Sequence, residues 1–271
     1  MTVTAPTAPA TPAVSRSIAP ALALARRSVI GLIRQPQVIF PSVFFPLLFT
    51  ALNTASFNRA IALPGFPKVD SFLDFAVATA VLQGVLFGAT NGGTEMATDI
   101  QGGFFDRLVS SPVPRWTIVV GRLMGAAVLG AAQAAVFLAV LTAFGAEVKG
   151  GPLGVLTILL VATLFALAIG GFSVALALRT GSAEAVQGFF PVFFISLFVS
   201  SAFFPKETMT GWFRTAATVN PLSWMVEAMR TQVISGFDAG EAARGLAVCG
   251  TVAVVSVFVA GRALQRRVAG P

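Results

Sequence analysis

Residues 153–178 read LGVLTILLVATLFALAIGGFSVALAL, an apolar run without one charged side chain. About 20 such residues, rising 1.5 Å each as a helix, cross the roughly 30 Å hydrocarbon core of a bilayer. Lipid offers no partner to backbone N–H and C=O groups, and a helix satisfies them within itself. The run therefore predicts a membrane-crossing helix. Working outward from it, five more stretches of spanning length lie near 38–57, 72–93, 117–144, 186–204 and 244–262. The expected fold is all-α: a polytopic membrane protein with six transmembrane helices.

Composition agrees. Of 271 residues 56% are hydrophobic and 11% charged, with mean hydropathy +0.85. Soluble domains carry about a quarter charged residues. A Lys or Arg at the bilayer centre costs roughly 2.5–3.5 kcal/mol, so the charges collect in the connections. The pI near 11.2 reflects those connections; no basic stripe with interleaved aromatics marks a nucleic-acid surface. There is no histidine and no tyrosine, and the one cysteine, Cys249, lies inside an apolar run. That argues against an intramembrane hydrolase or acyltransferase, leaves no metal site in view and excludes an intrachain disulfide. Nothing matches GxxxxGK[ST], so no phosphate-binding loop is expected.

Residues 1–15, MTVTAPTAPATPAVS, are rich in Pro, Ala and Thr and predict a disordered tail without a cleavable signal's basic and apolar regions. Over 16–36, Ile18, Leu22, Ala25, Val29 and Ile33 recur at helical spacing, with Arg26, Arg27 and Arg34 beside them. An amphipathic interfacial helix is expected there, followed by the membrane domain over 37–271. Pro36 marks the entry to the first span, Pro41 and Pro46 within it and Pro191 in the fifth predict kinks, and Gly170-Gly171 predicts close helix packing.

With the amino terminus cytoplasmic, the inner side holds eleven bases and four acids, and the outer side seven of each. The short-loop bias places both termini in the cytoplasm. The charged connection at 95–116, EMATDIQGGFFDRLVSSPVPRW, then faces the cytoplasm. Gly102-Gly103 open it, Phe104 and Phe105 offer apolar anchors, Asp106 and Arg107 carry opposite charges, and Pro112 and Pro114 end any helix. It reads as a docking surface or as a polar turn. Asp74, Glu95 and Glu184 fall near span ends, where solvent reaches them. Residues 204–243 carry Trp212 and Trp224, interface-seeking types, and break at Asn220-Pro221. They predict two short outer re-entrant helices or a surface cap before the last span.

Two stretches, GGFFDRLVSSPVPR at 102–115 and SSAFFPKETMTGWFRTAATVNPLSWMVEAMR at 200–230, give the chain a family likeness. It resembles the membrane (permease) subunit of type 2 ATP-binding cassette exporters, especially the daunorubicin-resistance-like drug permeases. Where that family has Gly-Thr-Leu-Glu, this chain has Gly-Phe-Phe-Asp. The resemblance implies a homodimer in the bacterial cytoplasmic membrane, with two copies of a separate cytoplasmic ABC ATPase that hold ATP and Mg. This chain itself would carry no cofactor and no catalytic residue. The ATPase would dock on Phe104, Phe105, Asp106, Arg107, Leu108, Ser111 and Pro112. Spans one, two and five would border the cargo pathway, with Phe44, Phe45, Asn53, Gln83, Asn91, Gln187, Phe193 and Phe194 lining it or packing beside it. The cargo would be a hydrophobic or amphipathic small molecule such as a drug or antibiotic, or a membrane lipid. An ion-coupled secondary transporter would need inverted repeats and midplane ionisable groups, which the sequence lacks. A non-transporting scaffold or immunity protein is the other alternative.

Overall fold

A computed structural model describes residues 13–269, and it contains helices with no strand among the described residues. In chain order these are α1 (Ala13–Ile33), α2 (Pro36–Phe57), α3 (Phe72–Ala89), α4 (Asn91–Gln101), α5 (Phe104–Val109), α6 (Trp116–Ala143) and α7 (Gly151–Thr180). They continue with α8 (Ala183–Gly188), α9 (Phe190–Phe198), α10 (Gly211–Val219), α11 (Pro221–Ile234) and α12 (Ala239–Ala269). The tail expected at 1–15 falls mostly outside the described residues.

Five helical runs are long and apolar enough to cross a membrane: Pro36–Ala62, Phe72–Gln101, Trp116–Ala143, Gly151–Thr180 and Ala239–Ala269. The protein is a multi-pass membrane protein. The stretch predicted as a fifth span, 186–204, is not one long helix. It is α8 and α9, interrupted at Phe189, followed by non-helical chain from Val199 to Pro205. Pro191, in the first turn of α9, has no N–H to bond back into α8, and its ring crowds the preceding turn. Pro41 and Pro46, by contrast, lie within an α2 that stays helical from end to end.

α3 forms the centre. Its sequence is apolar all round, and such a helix must be buried all round: Phe75, Val81, Leu82, Val85 and Leu86 are fully enclosed. Ser71 caps its start, accepting from the Asp74 N–H while Asp74 accepts from the Ser71 N–H, a reciprocal capping box. Asp74 is thus buried and partnered rather than solvated. α2 lies at the periphery and exposes Phe40, Phe44, Phe45, Leu48 and Leu52.

Small residues set the close approaches, as expected where apolar lipid offers helices no drive to associate. A Cβ on Gly171 of α7 would stand 3.0 Å from the Ser256 carbonyl carbon of α12, and one on Gly121 of α6 would stand 2.7 Å from Leu24 Cβ of α1. α7 and α12 run parallel: Cys249 meets the Val161 carbonyl, Ser256 that of Leu167, and Arg267 Nη1 donates to Leu178 O at 2.9 Å. Because both helices end on the same side, the chain between Thr180 and Ala239 must travel back along the bundle, and α8–α9 begin that return.

α1 packs along the first turns of α6 through Ala21, Leu24, Ala25 and Ser28. Of the apolar stripe read from sequence, Ile18, Leu22 and Ile33 point away from the protein.

Candidate functional site at the α4–α5 end of the bundle

α3 passes through Thr90 into α4, and Gly103, in the left-handed conformation at φ 69° that favours glycine, turns the chain into α5. Pro112 and Pro114 keep 110–115 out of helix. Side chains tie this return instead: Ser111 Oγ donates to Leu108 O at 2.6 Å and Thr117 Oγ1 to Pro114 O at 2.6 Å.

The predicted docking residues divide into two groups. Phe105 is buried, 3% exposed, among Met96, Ile118, Val119 and Leu264, so it roots α5 in the protein's own core. Asp106, Arg107 and Pro112 are exposed, and Phe104, Leu108 and Ser111 half-buried. The Phe104 ring lies under the Arg27 guanidinium at 4.1 Å and beside that of Arg107 at 5.6 Å, within cation–π range.

Beneath α5 lies a network that reading the sequence missed. Arg122 of α6 pairs with both Glu95 and Asp99 of α4 and donates to Ser28 Oγ of α1 at 2.9 Å. Asp99 also takes two bonds from Arg27 of α1, at 2.8 and 3.1 Å. The Arg122 side chain is 4% exposed, Asp99 10%, Glu95 24% and Arg27 47%. Two bases against two acids leave no unpaired buried charge, the condition under which such groups are tolerated. The network fastens three helices together. Counted as loop charges, Arg122 and Asp99 gave no sign of it. The available clue was the spacing of Glu95 and Asp99, four apart on one helix face, opposite an arginine already inside a span.

Beside the network a polar cleft is lined by Arg27, Gln35, Asn91, Thr94, Glu95 and Gln187 among others. It brings together two of the eight predicted pathway residues, Asn91 and Gln187. Asn91 Nδ2 is buried without a partner among the described residues. Gln83 and Asn53 line a separate small cavity with Thr50, Phe49, Phe75 and Phe203, where Gln83 Oε1 also lacks a partner. Phe44 and Phe45 are exposed on α2. Phe193 and Phe194 belong to an aromatic row on α9, with Phe194 stacked on Phe190 at 5.6 Å.

At the opposite end Arg230 of α11 closes the non-helical stretch after α9. Its Nε donates to Phe75 O at 3.2 Å, Nη1 to Ser201 O at 2.9 Å and Nη2 to Ala202 O at 2.8 Å, with the guanidinium 3.6 Å above the Phe75 ring. Asn220 caps α11 and donates to the Ser196 and Val199 carbonyls. The break between α10 and α11 falls at Asn220-Pro221, as the sequence predicts.

Comparison with known proteins identifies the family. Residues 21–234 match the family described as ABC-2 type transporter. The daunorubicin resistance ABC transporter permease protein DrrB1 of Streptomyces coeruleorubidus is 30% identical over 250 residues, covering 91% of this chain and 86% of that one. The putative transport permease ycf38 of Porphyra purpurea is 26% identical over 77% of this chain and 72% of its own. The probable doxorubicin resistance ABC transporter permease protein DrrC of Mycobacterium tuberculosis is 24% identical over 73% and 71%. With the family matched across most of its length and its helices long and apolar enough to cross the bilayer, this chain belongs to the ABC-2 type transporter family of permease subunits.

Proposed function

We propose that the chain is the transmembrane half of a drug exporter: a homodimer driven by two copies of a separate cytoplasmic ABC ATPase, which hold ATP and Mg. One observation carries the reading. α5 presents an exposed ridge of Asp106, Arg107 and Pro112, flanked by Phe104, Leu108 and Ser111, while the Arg122 network binds its carrier α4 to α1 and α6. A push on the ridge therefore moves three helices together. Phe105 serves docking from below, as the ridge's core anchor.

In this reading there are six crossings, with α8–α9 the fifth, and both termini lie in the bacterial cytoplasm. The parallel course of α7 and α12 supports it, since a fifth passage is needed to return the chain. α1 lies at the interface with Ile18, Leu22 and Ile33 toward lipid, and α10–α11 dip into the outer leaflet. The cargo is a hydrophobic or amphipathic drug, in keeping with the names of two relatives, or a lipid. Gln83 and Asn53 face it between α2 and α3, Phe44, Phe45, Phe193 and Phe194 border its path, and Asn91 and Gln187 meet it at the inner cleft. The membrane chain makes and breaks no bonds; it offers the cargo different affinities in two states.

The test is native mass spectrometry of the tagged protein purified from its own membrane in mild detergent. A two-plus-two assembly with a Walker-bearing ATPase is the expected result. A protein that runs alone, with control complexes intact, overturns the reading.

A further inference from the structure

Between α6 and α12, on the α5 side of the bundle, a groove of about 500 Å³ opens that none of the foregoing uses. Val119 and Leu264 form its buried floor, Gln265 and Val268 its wall, and Arg115 and Trp116 its rim. Apart from Val257 and Gly261, its α12 residues lie beyond the last span read from the sequence. α12 continues about 10 Å past Arg262, with Arg266 and Arg267 in its last turn. α6 has 28 residues against the roughly 20 that a crossing needs. An apolar groove outside the hydrocarbon is a surface for another protein's side chain. Trp116, 49% exposed at its rim, is a residue type concentrated where binding energy is.

The groove is continuous with the docking ridge. Val119 and Leu264 belong to the same core cluster as Phe105, and Arg267 of α12 lies over the Phe105 ring at 5.7 Å. Only three residues separate Pro112 of the ridge from Trp116. Charge narrows the occupant further. Arg115, Arg262 and Arg266 are exposed, none has an ion-pair partner among the described residues, and no acid lines the groove.

We propose that this groove is a second docking site for the ATPase, taking an apolar side chain on Val119 and Leu264 and a neighbouring carboxylate on Arg115. The site rests on the exporter reading above for the identity of its partner. It gives the ATPase a second hold, on α12, which the carbonyls of α7 tie to the centre of the bundle.

The experiment places the photo-crosslinker p-benzoylphenylalanine, one position at a time, in the full chain in its own membrane. The positions are Gln265 in the groove, Ser110 beside the ridge, and Val128, exposed on the middle of α6. Adducts are mapped by mass spectrometry. Gln265 and Ser110 are both expected to capture the Walker-bearing ATPase, and Val128 is not. Capture at Ser110 without capture at Gln265 overturns the groove and leaves the exporter reading standing. Capture at neither removes the exporter reading and the groove with it. A Gln265 adduct to a second copy of this chain assigns the groove to the dimer, and ATPase capture at Val128 shows contact without selectivity; each overturns the proposal. Trp116→Ala is expected to weaken ATPase binding about thirtyfold, the loss typical of an interface hot spot, while the thermal midpoint of the chain alone holds. Unchanged binding in that variant also overturns the site.

Discussion

Arg122 in α6 and Asp99 in α4 form an ion pair almost entirely withdrawn from solvent, with 4% and 10% of their side chains exposed. Alone, each would be a buried charge without a partner. Ser28 and Glu95 supply Arg122 with further partners, and Arg27 holds Asp99. The pair makes the leading helix and the connection after α3 one mechanical unit.

Arg122→Met removes the cation and leaves Glu95 uncompensated, which for a buried pair costs about 3–5 kcal/mol. We expect a lower thermal midpoint in detergent. Arg122→Met combined with Asp99→Leu and Glu95→Gln should recover much of that loss while cargo-stimulated ATP turnover in the complex stays impaired. Recovery of both would mean the network serves stability alone.

The two phenylalanines of α5 should behave differently. Phe105→Ala empties a core position, worth about 3–5 kcal/mol, and should reduce the folded yield. Phe104→Ala should fold normally and weaken ATPase binding. Arg107→Glu with Asp106→Arg, both exposed, should insert and fold as the parent does yet uncouple ATP hydrolysis from transport. Normal coupling in that double variant would remove the docking assignment.

Asn220 does two tasks with one amide. Asn220→Asp keeps the acceptor that caps Leu222 N–H but loses the donors to the Ser196 and Val199 carbonyls. Asn220→Ala loses all of it, about 1–2 kcal/mol for the cap alone. Thermal denaturation should rank parent, Asp and Ala in falling order, and equal Asp and parent midpoints would show that the donors contribute nothing.

Orientation can be read by cysteine labelling, because the single native thiol, Cys249, is buried. With a membrane-impermeant maleimide, Ser110→Cys should label only from the cytoplasmic side and Glu207→Cys only from outside. Labelling of both from one side would contradict six crossings.

Gly171→Leu should wedge α7 from α12 at Ser256, an overpacking penalty of about 1–3 kcal/mol. Gly92→Ala, where an added Cβ meets nothing within 4 Å, should be tolerated. Detergent midpoints of the two would check the contrast.

Hydropathy alone found the long apolar helices but not all their ends: 153–178 in the sequence lies within Gly151–Thr180 and 117–144 overlies Trp116–Ala143, while 244–262 falls short of both ends of Ala239–Ala269. It did so because crossing lipid is a demand each segment meets by itself, residue by residue. The break at Asn220-Pro221 and the proline-ended connection after α5 were legible for the same local reason, the missing N–H of proline. What the sequence could not decide is which side chains meet. Ser28 and Arg122 stand 94 positions apart, and Arg230 and Phe75 155 apart. Only packing turned Arg122 from a loop charge into a buried tie, turned Phe105 inward, chose which face of α1 is covered, and showed 186–204 to be two short helices. These depend on what surrounds a residue once the chain has folded, and no local sum over the sequence contains that.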